Sequence, residues 1–164
     1  MSLNKTFLPE WMQETASTRK LLERIPLDKG DWKPHEKSMS LARLTGHLAE
    51  LSGWVDITLM QDELDFSKMD YKPFIPASTA ELLENFDKLT ASATAILTNV
   101  TDETLMGNWT MRNGEQVYFT MPKMAVLRTW VFNHIIHHRA QLTVYLRMLD
   151  VPVPGMYGPT ADES

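Results

Sequence analysis

Hydrophobic residues recur at helical spacing in four stretches of the chain, and each stretch has a start or stop signal that fits a helix. The first runs from about Thr6 to Ile25, with Leu8, Trp11, Met12, Thr15, Leu22 and Ile25 on one face and Pro26 ending it. The second begins after Ser40, a suitable N-cap, and carries Leu44, Leu48, Leu51, Val55 and Leu59 to about Gln61. The third opens on Ser78-Thr79-Ala80-Glu81, the pattern in which a hydroxyl and a carboxylate each satisfy an orphan amide. Its apolar face is Leu82, Phe86, Leu89, Ala93, Ile96, Leu97 and Val100. The fourth starts near Pro122, tolerated in a first turn, and continues to about Leu149 before Pro152 and Pro154.

The polar stretches between them are unequal. Asp62 to Ala77 is a long linker containing Pro73 and Pro76. Thr101 to Met121 is longer and places Asn113-Gly114 between Trp109-Thr110-Met111 and Val117-Tyr118-Phe119, a β-hairpin signal. From about Val151 the tail is rich in Pro and Gly and is expected to be extended. The pattern predicts an all-α four-helix bundle, a single domain over residues 1–164, with a short β-hairpin in the connection between the third and fourth helices.

Composition narrows the chemistry. The 164 residues contain no cysteine, which excludes a disulfide framework, a thiolate zinc site, an iron–sulfur cluster and a cysteine nucleophile. Sixteen basic and twenty-one acidic residues give a net charge of -5, and the basic ones are scattered, so no nucleic-acid partner is expected. The N-terminus lacks the apolar region of a secretory signal, and the longest apolar run, Met124 to Leu127, is far short of the roughly 20 residues of a membrane span. A cytoplasmic protein without a membrane partner is expected.

The histidines carry the candidate chemistry. At about 100° per residue, His134 and His138 lie one turn and about 40° apart, in the sector of Leu127, Val131, Tyr145 and Leu149. His137 falls on the flank. His47 sits between Leu44 and Leu51 on the buried side of the second helix. Three imidazoles thus point into one interior, where their nitrogens need partners. Ordinary core histidines with local hydrogen bonds are one reading; a divalent metal bound by all three is the other. Ile135 stands where a His-Glu-x-x-His protease needs its glutamate. Leu44, Val131, His134 and Ile135 occupy the positions a di-iron bundle would fill with glutamate. No nucleophile elbow, phosphate loop or dinucleotide fingerprint is present.

Several pieces together resemble the DinB/YfiT family of metal-binding four-helix bundles. They are Trp32-Lys33-Pro34, Lys37-Ser38-Met39-Ser40, Gly46-His47-Leu48-Ala49-Glu50, the stretch from Asn133 to Arg147 and the ending from Val151 to Pro159. The resemblance implies that His47, His134 and His138 are the metal ligands and His137 is not. It further implies an up-down-down-up bundle and a homodimer. Ala140 departs from the family, many of whose members have Gly there, a difference of packing more than chemistry. The family includes thiol S-transferases using bacillithiol or similar thiols, mycothiol-dependent isomerases, and members without an assigned reaction.

Two functions follow as expectations. One is a metalloenzyme binding a small-molecule substrate, whose three neutral ligands leave a coordination position open for a thiol cosubstrate or water. Its reaction would be thiol transfer to an electrophile or a related hydrolysis or isomerisation. Zinc or nickel are the foremost ions, although three imidazoles also suit copper and iron. The other is a non-catalytic, stress-associated metal-binding bundle. Around the site, Glu50 could accept the second imidazole proton of His47 or simply face solvent. Arg139 could hold an anionic substrate group or a salt bridge. Trp109 and Tyr118 could line the pocket mouth or pack, and Tyr157 and Trp32 could pin the tail and first loop nearby.

Overall fold

Helix α1 covers Asn4–Leu22 and turns Phe7, Trp11, Glu14, Thr15, Thr18, Leu21 and Leu22 inward at spacings of three and four. It belongs to a computed structural model that describes residues 2–163. Helix α2, Leu41–Glu50, starts where the Ser40 hydroxyl accepts the Arg43 amide at 3.3 Å. The helix expected to run on to Gln61 is interrupted by a 3₁₀ turn at Leu51–Gly53 before α3, Trp54–Met60. The Ser52-Gly53 pair is a weak helical step, and the glycine admits α4 closely: a Cβ on it would stand 3.3 Å from Leu89.

Helix α4, Thr79–Asn99, has the capping box legible in sequence. Ser78 Oγ accepts the Glu81 amide at 3.2 Å, while the Glu81 carboxylate reaches one residue further back to the Ala77 amide at 2.7 Å. A short α5, Asp102–Met106, follows, capped by Thr101. The last helical stretch is composite: α6, Lys123–Val126, a π-helical segment at Leu127–Phe132, then α7, Asn133–Met148. The Asn133 amide bonds the Arg128 carbonyl five residues back. Helix α7 closes with Asp150 at φ 56°, its amide on the Arg147 carbonyl and the Val151 amide on the Leu146 carbonyl, a Schellman ending.

The all-α expectation is corrected by a small three-stranded sheet. Strands β1 (Glu63–Asp65), β2 (Asn108–Asn113) and β3 (Gln116–Pro122) lie in that order, β1 parallel and β3 antiparallel to β2. Gly114, at φ 59°, takes the left-handed conformation in the tight connection between β2 and β3. Strand β1 was invisible in the sequence because three residues with one apolar side chain show no alternation. Its pairing with β2, Leu64 opposite Met111, is made across nearly fifty residues. The molecule is mostly helical with this sheet at one side.

Helix α1 packs on α4 and α7, and α2 packs on the same two. Their buried residues form the main core, while Leu64, Trp109, Met111 and Val126 form a smaller cluster against the sheet. The tail carries no regular element to residue 163, but it is anchored: Asp162 accepts from Arg147 and from the Val153 amide. Among the described residues, no helix is long and apolar enough to cross a membrane.

Candidate metal centre

His47 lies in the last turn of α2, held inward by the buried Leu44, Leu48 and Leu51 on either side. His134 and His138 stand one turn apart at the start of α7, directly after the π-helical segment. π-Bulges are frequent at functional sites because the extra residue in the turn re-aims side chains that follow. Here Ile135, Leu142 and Leu146 take the core positions of α7 while His134 and His138 face α2.

The three rings converge. His134 Nε2 is 2.8 Å from His138 Nε2 and 3.4 Å from His47 Nε2, and one ligand nitrogen from each ring lies within 4.8 Å of the others. Gln141, one turn beyond His138, places Oε1 2.7 Å from His138 Nδ1. The oxygen can only accept, so His138 carries its proton at Nδ1 and presents a bare Nε2 to the cluster.

Electrostatics keep the cluster neutral. Burial, then His138, His134 and Arg43, push His47 down to about 4. Burial also dominates at His138, likewise lowered to about 4, with Gln141 opposing and His134, His137 and Arg43 adding to the drop. His134 is lowered by burial against the opposing pull of the Trp130 carbonyl. Near pH 7 the three rings are therefore neutral, so each could offer a bare nitrogen to a metal without first losing a charge-bearing proton. One proton can bridge only one pair of the facing nitrogens, so at least one lone pair stays unmatched. A cation among them satisfies all three, and an imidazole donor set suits a divalent ion of borderline softness. The residues present fit the group.

The other sequence candidates fall elsewhere. His137 is exposed on the flank, its ring 4.8 Å from that of His138. Glu50 does not accept a hydrogen bond from His47; its carboxylate accepts the Tyr71 hydroxyl at 2.9 Å and the Phe74 amide at 3.2 Å, tying the linker to α2. Arg139 turns to α1 and is buried against Glu14, Thr18 and the Tyr157 hydroxyl. Trp109 is fully buried, with its indole N–H on the Ile57 carbonyl, and lines no pocket mouth. Tyr118 is exposed beside Phe66, and Trp32 packs edge-on against Tyr145. Two residues the sequence reading missed are Gln141 and Arg43. The signals were their places three residues after His138 and four before His47, on the same helical faces.

Comparison with known proteins gives the family and the fold. A model of the DinB family matches residues 1–164. A Bacillus subtilis (strain 168) protein named uncharacterized protein YrdA is 27% identical over 165 residues, covering 96% of this chain and 89% of its own. Among solved structures, a DinB-like protein from Bacillus cereus superimposes with a TM-score of 0.69 at 24% identity, over 95% of this chain and 98% of that one. The DinB-like protein YjoA from Bacillus subtilis does so at 0.69 and 21% identity, over 93% and 99%.

Proposed function

Since the chain belongs to the DinB family, we propose that it is a divalent-metal-dependent enzyme that transfers a low-molecular-weight thiol to an electrophilic small molecule. A related metal-assisted hydrolysis or isomerisation at the same centre belongs to the same reading. The observation that carries it is the convergence of His47, His134 and His138 with no fourth protein ligand in the cluster among the described residues, in a chain without cysteine. A structural site usually fills all four positions, whereas a catalytic one keeps one open.

The chain's own contribution is to hold and to shield. The three imidazoles bind the ion, zinc or nickel in the first instance, and Gln141 keeps the proton of His138 away from it. A divalent ion supplies Lewis acidity, which favours the deprotonated form of a thiol or water beside it. In the transfer, the thiol sulfur forms a bond to the electrophilic carbon and the leaving group departs with the bonding electrons. The thiol proton goes to solvent or to that leaving group. With no thiol in the chain, the sulfur comes from a cosubstrate.

In the same reading the protein is one domain over residues 1–164, an up-down-down-up four-helix bundle of α1, α2 with α3, α4, and α6 with α7. It is also a cytoplasmic homodimer. A non-catalytic, metal-binding bundle is favoured by one observation: both oxygens of Glu50, the carboxylate nearest His47 in sequence, are engaged by the linker.

Protein purified without added metal should contain about one divalent ion per chain, absent from His134→Ala. Given bacillithiol, glutathione or cysteine and an arylating or epoxide electrophile, the loaded protein should consume thiol faster than that variant. Electrophile loss without thiol loss indicates hydrolysis. No rate above the variant's across a broad panel rejects catalysis.

A further inference from the structure

A cavity of about 610 Å³ adjoins the histidine cluster at His47, between α2, α3, α4 and the linker. Its walls are mostly apolar: Trp54 and Ile57 from α3, Leu89 from α4, Leu64 from β1, and Phe66 and Phe74 from the linker. A space of this size holds a drug-sized organic molecule, and its walls reward an apolar body.

The same cavity is lined by Arg43, one turn before His47. Of the six other arginines, five have carboxylate partners, Arg19 with Asp87, Arg112 with Glu63, Arg128 with Glu10, Arg139 with Glu14 and Arg147 with Asp162, and the sixth, Arg24, is exposed to solvent. Arg43 makes no such pair among the described residues. Its Nη2 has only a long contact, 3.4 Å, to the Tyr71 hydroxyl, which already donates to Glu50. Its Nη1 is buried with no partner at all. A guanidinium is a planar fork that matches a carboxylate, and leaving it unmatched at the edge of an apolar cavity is costly unless a ligand completes it.

Two carboxylates set the limit on charge. Glu50 lines the cavity with both oxygens engaged, and Asp56 lines it with Oδ2 on Ser92 and Oδ1 buried and unpartnered. A second negative charge on the ligand would meet these acids, whereas a single one can reach Arg43. We infer that this cavity is a binding site for a small organic monoanion, with an apolar body against Trp54, Ile57 and Leu89 and a carboxylate on Arg43. That such a molecule is a substrate rests on the metal-centre reading above; that it binds does not.

The test uses 1-naphthaleneacetate, its neutral analogue 1-naphthaleneethanol and a naphthalene dicarboxylate. Each is titrated into metal-free and zinc-loaded protein while the Trp54 indole and Leu89 methyl signals are followed by NMR. The monoanion should bind best and shift both signals. Arg43→Gln, on a half-exposed helical face, should weaken the monoanion about tenfold or more, leave the alcohol unchanged and leave the zinc stoichiometry intact. Arg43→Lys should recover part of the loss. Equal binding of acid and alcohol, no effect of Arg43→Gln, or unmoved Trp54 and Leu89 signals overturns the inference. Zinc titration of the same samples reads the metal centre separately, so loss of either reading leaves the other visible.

Discussion

Gly46→Ala is the substitution for which helix propensity and this structure predict opposite signs. Gly46 lies inside α2, where alanine is intrinsically better by about 1 kcal/mol. A Cβ on Gly46, however, would stand 2.0 Å from the Phe74 carbonyl oxygen and 2.9 Å from its carbon. Ordinary contact begins near 3.4 Å, so the linker backbone would have to retreat by about 1.4 Å. Neither partner is a flexible side-chain tip; both are backbone. The retreat pulls the Phe74 amide off Glu50, a hydrogen bond to a charged acceptor worth roughly 1.5–3 kcal/mol, and loosens the packing of Phe74 on the core. Subtracting the propensity gain from the hydrogen bond alone leaves a net loss of about 0.5–2 kcal/mol, to which the loosened packing adds. The urea midpoint measures it, and hydrogen exchange at the Phe74 amide locates it. Gly53→Ala is the control: its Cβ would meet only the tip of Leu89 at 3.3 Å, which can yield, so it should be near neutral. A Gly46→Ala protein as stable as the parent, with the Phe74 amide still protected, would refute the reasoning.

Three further outcomes follow from the same structure. Alanine at His47, His134 or His138 should abolish stoichiometric zinc binding in a calorimetric titration, whereas His137→Ala should retain it, since the exposed His137 is not in the cluster. Glu14→Gln should cost about 3 kcal/mol in urea unfolding, because it strands the buried Arg139 guanidinium, and a Glu14→Leu/Arg139→Met double variant should regain much of that loss. Asp162, held down to about 2 by Arg147 and then the Val153 amide, should keep the tail docked above pH 3.8 and release it as pH falls through about 2. An NMR titration of Asp162 reads this directly, and Arg147→Gln should move its midpoint upward.

The elements that could be read in advance are those whose determinants are local. Ser40 and Ser78 cap their helices because a hydroxyl acts within one turn, and the α4 stripe is a continuous helical face. The missed features depend on distant partners. The break at Leu51–Gly53 reflects how closely α4 approaches Gly53. Strand β1 exists because β2 is there to pair with it, and Lys123 is buried because its ammonium caps α3 at the Leu59 and Gln61 carbonyls.

The site divides along the same line. His134 and His138 are neighbours on one face by spacing alone, and the π-helical segment at Leu127–Phe132 leaves that spacing intact because it ends before both. Idealised 3.6-residue geometry therefore paired them correctly even though it misjudged the turn that precedes them. Arg43 and the cavity are different. Arg43 shares the His47 face by spacing, but its missing carboxylate becomes visible only once Tyr71 and Glu50 are seen to satisfy each other across the linker. The three clustered histidines are set by two helices, whereas much of the adjoining wall comes from residues 62–77. Changes to Phe66, Tyr71 or Phe74 should accordingly alter which organic anion binds while leaving zinc affinity nearly constant. Changes at Gln141 should do the reverse, by freeing the His138 proton to move onto the nitrogen that faces the cluster.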